Sequence, residues 1–413
     1  MKMNPKLSLE YYPKLSDEIR QKGVKTLNNN KKNWDPPFFT DTSSYVNLNK
    51  IKSTVNKLDR EKIENLIILG TGGSIQTMLA LKHLSELSIY PIMNSRSAEL
   101  SRCLEETTPE NSLVIPISRS GKTLDVNSTI GIFVENNYHF LGLSSRGPMN
   151  DLLQSIHSPI LSVPDLSGRF AASITNVAIV PAYIAGINVE EFLHSLSKAY
   201  ETYMNFKKND ASEYAIYLYN LYKQGYRVLF SMPYSKNLEG SVGLLVQEIS
   251  ESTGKEGKGF MGAYQEAPLC QHSVLEYLLG GFKGAVSPLV LTIENEKPDL
   301  TLQSSIDYID GNSAQEIVNY QADATFQALI KQNVPTSKLS IESPSISDIA
   351  QLIAFIQSTV YYLCLLLDVN WANNPKVNIG KKICNEALKN KFSEEKRKQE
   401  REELAKNKYR NFY

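Results

Sequence analysis

The segment LVIPISRSGKTLD, at residues 113–125, decides the fold prediction for this chain. Residues 113–117 are a short, continuous apolar run of the kind that forms a buried parallel strand. The next residues combine three hydroxyl side chains with the flexible Gly121, and residues 126–135 can continue as a helix. A strand that runs into a hydroxyl-rich turn and a helix N-terminus predicts a loop that binds a phosphate monoester.

Two other interpretations of this loop have to be weighed. Ser, Gly and Thr also gather in ordinary strand-to-helix turns, where they cap the helix and supply positive φ angles. A nucleotide loop of the Walker type is the weaker prediction, because Pro116 stands where that motif needs a glycine five residues before Gly121.

Short apolar strands alternate with helices on both sides of the loop, which implies a parallel sheet covered on both faces. The predicted strands are 66–69, 90–93, 113–117, 139–143 and 159–163, and the predicted helices are 75–86, 98–104, 129–135 and 149–154. Residues 70–74, with the sequence GTGGS, also follow a strand. Because ligands collect at the carboxyl ends of parallel strands, the two loops are expected to face one crevice.

A second round of alternation predicts a second α/β domain. Its strands are 226–230 and 286–293, its helices are 238–252, 314–331 and 346–367, and the apolar stretch 171–187 is predicted to be a helix that bridges the domains. The last of these helices is apolar nearly all round, so we expect it to be buried within the chain or against another subunit. The predicted organisation is a lead-in segment with one short helix (1–45), a first domain (46–188), a second domain (189–384) and a charged helical tail (385–413).

Composition excludes several classes of function. In 413 residues, 44 Lys and Arg balance 44 Asp and Glu, so no global field attracts nucleic acid or an acidic membrane. Four scattered cysteines and five histidines indicate neither a metal site nor a disulfide framework, which favours a reducing cytoplasm. The N-terminus lacks an apolar signal core, so neither secretion nor membrane insertion is expected.

The residues Glu251-Ser252-Thr253-Gly254-Lys255 resemble the Glu-Ser-x-Gly-Lys signature of the glucose-6-phosphate isomerase family. Five further stretches match the family in the same order along the chain: 70–74, 118–123, 167–170, 271–273 and 377–381. The resemblance implies two sugar isomerase (SIS) domains, each a mainly parallel sheet flanked by helices in a three-layer sandwich. It also implies a cytosolic homodimer that interconverts glucose 6-phosphate and fructose 6-phosphate without a cofactor.

The resemblance also assigns roles to individual residues. The phosphate group is expected to be bound by Gly73, Ser74, Ser118, Arg119, Ser120 and Thr123. Glu251 is expected to be the base, Arg169 the cation that stabilises the intermediate, and His272 and Lys381 the ring-opening groups. In this family the histidine reaches the site from the neighbouring subunit.

The chemistry of aldose–ketose isomerisation fits these residue types. It passes through an enediolate, so one carboxylate must take up and return a proton, and a fixed cation such as Arg169 stabilises the negative charge. Gln247 lies four residues before Glu251, so both share one helix face and Gln247 can orient substrate or water.

Lys122 departs from the family pattern, because bacterial relatives commonly have Thr there. Two alternatives to the leading prediction remain: a bifunctional phosphoglucose/phosphomannose isomerase, and a non-catalytic SIS protein that senses a sugar phosphate. Glu251 and Arg169 argue against the sensor, which needs no base.

Overall fold

The computed structural model describes residues 7–58, 60–164, 166, 170–205 and 209–410. The chain divides into two compact units, with the boundary after Ala372. Each unit is described by itself below.

Eleven strands lie within the described residues, and all belong to the first unit. They are Leu7–Tyr12 (β1), Asn65–Leu69 (β2), Ser88–Ile92 (β3), Ser112–Ser118 (β4), His139–Phe140 (β5), Gly142–Ser144 (β6), Ile160–Leu161 (β7), Val228–Pro233 (β8), Met261–Tyr264 (β9), Val286–Ile293 (β10) and Thr336–Ile341 (β11).

Fourteen helices lie in the described part of the first unit, and one long helix forms most of the second. They are Asp17–Asn30 (α1), Leu48–Val55 (α2), Gln76–Leu81 (α3), Ser97–Glu106 (α4), Leu124–Asn127 (α5), Ile130–Glu135 (α6), Pro148–Ser155 (α7), Asn176–Ile184 (α8), Val189–Tyr203 (α9), Asp210–Lys223 (α10), Glu239–Thr253 (α11), Leu275–Gly280 (α12), Ala314–Lys331 (α13), Ile346–Leu367 (α14) and Asn378–Arg410 (α15).

The first sheet has the strand order β3-β2-β4-β6-β7, and β5 also pairs with β4. All of these pairings are parallel. Every residue of β2 and β4 is buried, as expected of strands covered by helices on both faces. The predicted parallel sheet around residues 113–117 is therefore confirmed.

The second sheet has the order β1-β11-β10-β8-β9. Its pairings are parallel except for β1, which runs antiparallel to β11 at the edge. The predicted fold class, α/β with two mainly parallel sheets flanked by helices, is confirmed.

The lead-in segment differs from its prediction, because residues 7–12 form a strand of the second sheet. The side chains of Leu7 and Tyr11 are buried, and the Tyr11 ring packs at a tilt against Tyr217 of α10. The partner strand lies more than 300 residues away in sequence, so no local sequence pattern predicts this pairing.

The helix predicted over 171–187 is also interrupted. Phe170–Ile174 form a 3-10 turn, and α8 begins only at Asn176, after Thr175 caps it by accepting a hydrogen bond from the Val177 N–H. A side-chain cap of this kind starts a new helix, whereas the apolar composition of the stretch alone predicts one unbroken helix.

The long apolar helix α14 lies at the centre of the first unit and packs against α1, α9, α10 and α11. It is the one helix in the described part of the chain that is long and apolar enough to cross a membrane, but 94% of its most apolar stretch is buried inside the chain. Of the two predicted locations for this helix, the structure shows burial within its own chain.

Candidate active site

The loop after β4 is closed by its own hydroxyl groups. Ser118, the last residue of β4, is buried, and its Oγ lies 2.8 Å from Thr123 Oγ1. The Gly121 N–H donates to the Ser118 carbonyl oxygen at 3.1 Å, and the Lys122 N–H donates to Ser120 Oγ at 3.3 Å. These bonds turn the chain back on itself between the strand and α5, so the predicted phosphate-binding hydroxyls lie in one compact turn.

Gly121 is required where this loop meets the loop after β6. Its φ is +64°, and a Cβ added there would lie 2.1 Å from the carbonyl oxygen of Arg146. In turn, a Cβ on Gly147 would lie 2.4 Å from the Ser120 carbonyl oxygen. The two backbones are therefore in direct contact, and two neighbouring strand ends contribute loops to the same edge of the sheet. The Gly-Pro pair at 147–148 is the sequence signal that could have identified this second loop.

The Gly70–Ser74 loop follows β2, the strand that pairs with β4 on its other side. Gly72–Ser74 form a 3-10 turn before α3, and Gly72 has a φ of +58°. The carboxyl ends of adjacent parallel strands lie at one edge of a sheet. The predicted phosphate residues Gly73 and Ser74 are thus at the same edge as Ser118 and Thr123.

Helix α11, which comes from the second half of the chain, lies directly against this loop. A Cβ on Gly240 would be 2.1 Å from the Leu79 carbonyl oxygen of α3, and one on Gly243 would be 2.9 Å from Gln76 Oε1. Further along the same helix face, Gln247 Nε2 lies 3.2 Å from the Cβ position of Gly72. The two glycines are what allow α11 to approach α3 at backbone distance.

Glu251 continues this face of α11, four residues after Gln247. It is half-buried and lies two residues before the end of the helix. The helix end is fixed by Thr253, whose Oγ1 donates to the Ile249 carbonyl and accepts from the Phe260 N–H at 2.9 Å. Lys255 Nζ donates to the carbonyl oxygen of Asn370. The structure therefore places the predicted base on the helix face that contacts α3 and the 70–74 loop.

The other predicted residues lie in different surroundings. Arg119 is exposed, and its Nη1 donates to the Leu166 carbonyl oxygen at 2.6 Å. Arg169 lies outside the described residues, although Phe170, which follows it, is buried and stacks on Phe39. Lys381 lies on α15 in the second compact unit.

His272 is exposed at the end of a 3-10 turn after β9. The preceding Gln271 anchors this turn, since its Nε2 donates to Tyr234 Oη at 2.9 Å and to Thr325 Oγ1 at 2.8 Å. The imidazole therefore faces outward from a fixed turn.

A groove of about 1030 Å³ lies outside this set of loops. It is lined by residues 42–51, Leu161–Pro164, Asn176 and one side of α9. None of the predicted site residues that the structure describes lines it, so we assign it no role in the chemistry. In the described residues, no group of His, Cys, Asp and Glu side chains is arranged to hold a metal ion.

Comparison with known proteins identifies relatives over most of the chain. No protein-family model matches the sequence. The glucose-6-phosphate isomerase of Campylobacter jejuni is 24% identical over 354 residues, covering 80% of this chain and 86% of the relative. That of Mycoplasmopsis pulmonis is 27% identical over 404 residues, covering 88% and 92% of the two chains.

A solved structure supports the fold independently. The crystal structure of a glucose-6-phosphate isomerase from Chlamydia trachomatis superimposes with a TM-score of 0.76 at 19% identity, covering 93% of this chain and 89% of that one. These sequence relatives extend over both halves of the chain. The chain is therefore similar, over most of its length, to the glucose-6-phosphate isomerase family.

Proposed function

We propose that the chain interconverts glucose 6-phosphate and fructose 6-phosphate by proton transfer through a cis-enediolate. The observation that carries this proposal is the close approach of α11 to the Gly72–Ser74 turn, where Gln247 Nε2 lies 3.2 Å from the position that a Cβ on Gly72 would occupy. It sets the helix face of Glu251 against a loop that follows one strand of the first sheet. A sugar bound through its phosphate at that edge has its carbonyl end within reach of a side chain on α11. Relatives named for this reaction, in bacteria and archaea, support the same assignment.

Each residue has a distinct part in this mechanism. Gly73, Ser74, Ser118, Arg119, Ser120 and Thr123 hold the phosphate. Glu251 removes the C2 proton of the open-chain aldose and returns it to C1, and Gln247 orients the substrate beside it. Arg169 stabilises the enediolate oxygen, while His272 and Lys381 move protons during ring opening. The reaction moves only protons, so the proposal includes no redox cofactor.

We further propose that the enzyme is a homodimer in the cytoplasm. His272 is exposed, and large apolar side chains around it are exposed as well: Met261, Tyr264, Leu269 and Tyr277. Exposed apolar surface of this kind favours a protein partner, and a second copy would bring His272 to the site of its neighbour. No disulfide joins the four cysteines, all of which lie in the described part of the chain, and this fits a reducing compartment.

A coupled assay of the purified protein on fructose 6-phosphate tests the reaction. Turnover to glucose 6-phosphate is the expected result. Binding of the sugar phosphate without turnover would instead identify a sensor, and turnover of mannose 6-phosphate at a similar rate would identify the bifunctional isomerase. Neither alternative is favoured by the relatives, which are named for glucose 6-phosphate.

Mixing two inactive variants tests the shared site. Glu251→Gln and His272→Ala are each expected to have little activity on the closed-ring substrate. After subunit exchange, about a quarter of wild-type activity per subunit should return, because half of the dimers are mixed and each holds one intact site. Activity that stays at the level of the separate variants would place His272 outside the partner's site. A mixture of Glu251→Gln with itself is the matched control.

Replacing Lys122 by threonine is expected to change the KM for fructose 6-phosphate by less than about threefold. The side chain is exposed, and exposed charges in water contribute little to binding. Steady-state kinetics at low and at physiological ionic strength measure the effect. A rise in KM well above threefold that shrinks with added salt would show that Lys122 contacts the phosphate.

A further inference from the structure

A cluster of buried polar side chains lies behind the proposed site. Thr77 Oγ1 and Ser173 Oγ are 3.0 Å apart, and Gln357 Nε2 donates to Ser173 Oγ at 3.1 Å. The Tyr200 hydroxyl donates to Gln357 Oε1, and the Glu248 carboxylate acts electrostatically on that tyrosine. None of the five side chains is more than 3% exposed. We call Thr77, Ser173, Gln357, Tyr200 and Glu248 the buried polar cluster.

The members of this cluster constrain one another strongly. A buried polar group that loses its partner is left both desolvated and unpaired, so each bond in the cluster resists displacement. Both ends of the Gln357 amide are engaged, one as an acceptor and one as a donor. Burial, with a smaller effect of Glu248, raises the pKa of Tyr200 well above its ordinary value. The phenol therefore stays protonated and remains a donor to Gln357.

Three of the elements joined by the cluster also carry proposed site residues. Thr77 is on α3, directly after the loop that contains Gly73 and Ser74. Ser173 is in the 3-10 turn that follows Arg169 in sequence. Glu248 is on α11, between Gln247 and Glu251. The other two members, Gln357 of α14 and Tyr200 of α9, link these three elements to helices of the core.

Glu248 lies on a different side of α11 from the face that touches the loops. Gly240, Gly243 and Gln247 face α3 and Gly72, whereas Glu248 lies at the next residue round the helix, in the electrostatic neighbourhood of Tyr200. Glu248 is buried, and α11 also packs against α14, the helix that carries Gln357. Contacts with both α3 and α14 determine the rotation of α11 about its own axis. That rotation sets the direction of Glu251, which lies one turn beyond Glu248.

We propose that Tyr200, Gln357 and Glu248 are positioning residues for the isomerase reaction. Through Ser173 and Thr77, they fix the relative placement of the phosphate loop, the segment that follows Arg169 and the helix that carries Glu251. This inference rests on the proposed function. The cluster touches no substrate, and its effect is on the alignment of the base with a sugar that is already bound. A small misalignment of this kind lowers the rate of proton transfer by up to about a hundredfold while leaving phosphate binding intact.

The test compares two tyrosines that differ in their connection to the site. Tyr200→Phe removes the donor to Gln357. Tyr214→Phe is the matched control, because Tyr214 is equally buried and its hydroxyl lies 2.8 Å from Ser337 Oγ in the second sheet, away from any proposed site residue. Both variants are expected to unfold at a lower temperature than the wild type. Only Tyr200→Phe is expected to have a lower kcat than the wild type, by about ten- to a hundredfold.

Two further measurements separate positioning from general destabilisation. The KM of Tyr200→Phe and its affinity for a hexitol 6-phosphate, which has no carbonyl group to isomerise, are expected to stay within about threefold of wild type. Exchange of the substrate C2 proton with deuterated solvent should slow in parallel with kcat. If Tyr200→Phe fails to fold, Ser173→Ala tests the cluster from its other end, with the same expected loss of kcat at unchanged KM.

The outcomes distinguish this inference from the proposed function on which it rests. Wild-type protein without turnover would reject both. Wild-type turnover with an equal kcat in Tyr200→Phe and Tyr214→Phe would overturn the positioning role and leave the isomerase assignment standing. Loss of hexitol 6-phosphate affinity in Tyr200→Phe would also contradict the inference, because it would show that the cluster supports the phosphate loop alone.

Discussion

Glu251→Gln is expected to lower kcat for fructose 6-phosphate by about a hundred- to ten-thousandfold, the range that a general base contributes. Glutamine keeps the shape of the side chain on α11 but cannot accept a proton from C2. Binding of the hexose phosphate should change little, since we propose that loops of the first sheet hold the phosphate. The coupled assay and an independent titration of hexitol 6-phosphate measure the two effects separately.

The control for this variant is Glu239→Gln at the start of the same helix. Glu239 lies at the surface, where its carboxylate is 3.1 Å from Lys236 Nζ, and it lies off the face that contacts α3. Its replacement is expected to leave kcat and KM unchanged. A Glu251→Gln enzyme that retained more than a tenth of wild-type kcat would show that another group transfers the proton.

Gly121→Ala is expected to raise the KM for fructose 6-phosphate about tenfold or more. An alanine at a φ of +64° costs about 1 to 2 kcal/mol, and its Cβ would lie 2.1 Å from the Arg146 carbonyl oxygen. The two loops must therefore separate, which displaces the hydroxyls of Ser118 and Thr123. A tenfold loss of affinity corresponds to about 1.4 kcal/mol. Steady-state kinetics measure KM, and circular dichroism checks that the variant is folded.

Gly131→Ala is the matched control for this substitution. Gly131 lies in α6, and a Cβ there meets no other atom within 4 Å. It should leave KM unchanged. An unchanged KM in Gly121→Ala as well would mean that the loop after β4 does not hold the phosphate.

The parts of the fold that local sequence determines were predicted correctly. Residues 113–117 form a buried strand because a continuous apolar run has apolar side chains on both faces. Both faces are buried only when a layer of helices covers each side of the sheet. The helices α13 and α14 begin where Ser313 and Ser345 accept hydrogen bonds from the first turn, so their starts were visible in the sequence. The four-residue spacing of Gln247 and Glu251 correctly placed both on one face.

The remainder depends on contacts between distant residues. The strands β1, β9 and β11 were missed because their residues are short or polar runs. They become strands only through pairing, β9 with β8, β11 with β10 and β1 with β11. The close approach of α11 to α3 was not predictable either, since Gly240 and Gly243 lower the intrinsic helix propensity and only the partner backbone explains them. The roles assigned to Arg169, His272 and Lys381 stay predictions.

The glycine face of α11 has a consequence for engineering a more heat-resistant form of the enzyme. Exchanging helical glycine for alanine usually stabilises a protein by about 0.4 to 1 kcal/mol, because the unfolded chain loses freedom. At Gly240 that gain is outweighed, since the added methyl group would have to occupy the position of the Leu79 carbonyl. A consensus or helix-propensity scheme applied without regard to packing would select this position early, and it would separate the predicted base on α11 from α3 and the 70–74 loop. Heat resistance in this chain is better sought at helix positions such as Gly131, where the added methyl group meets open space.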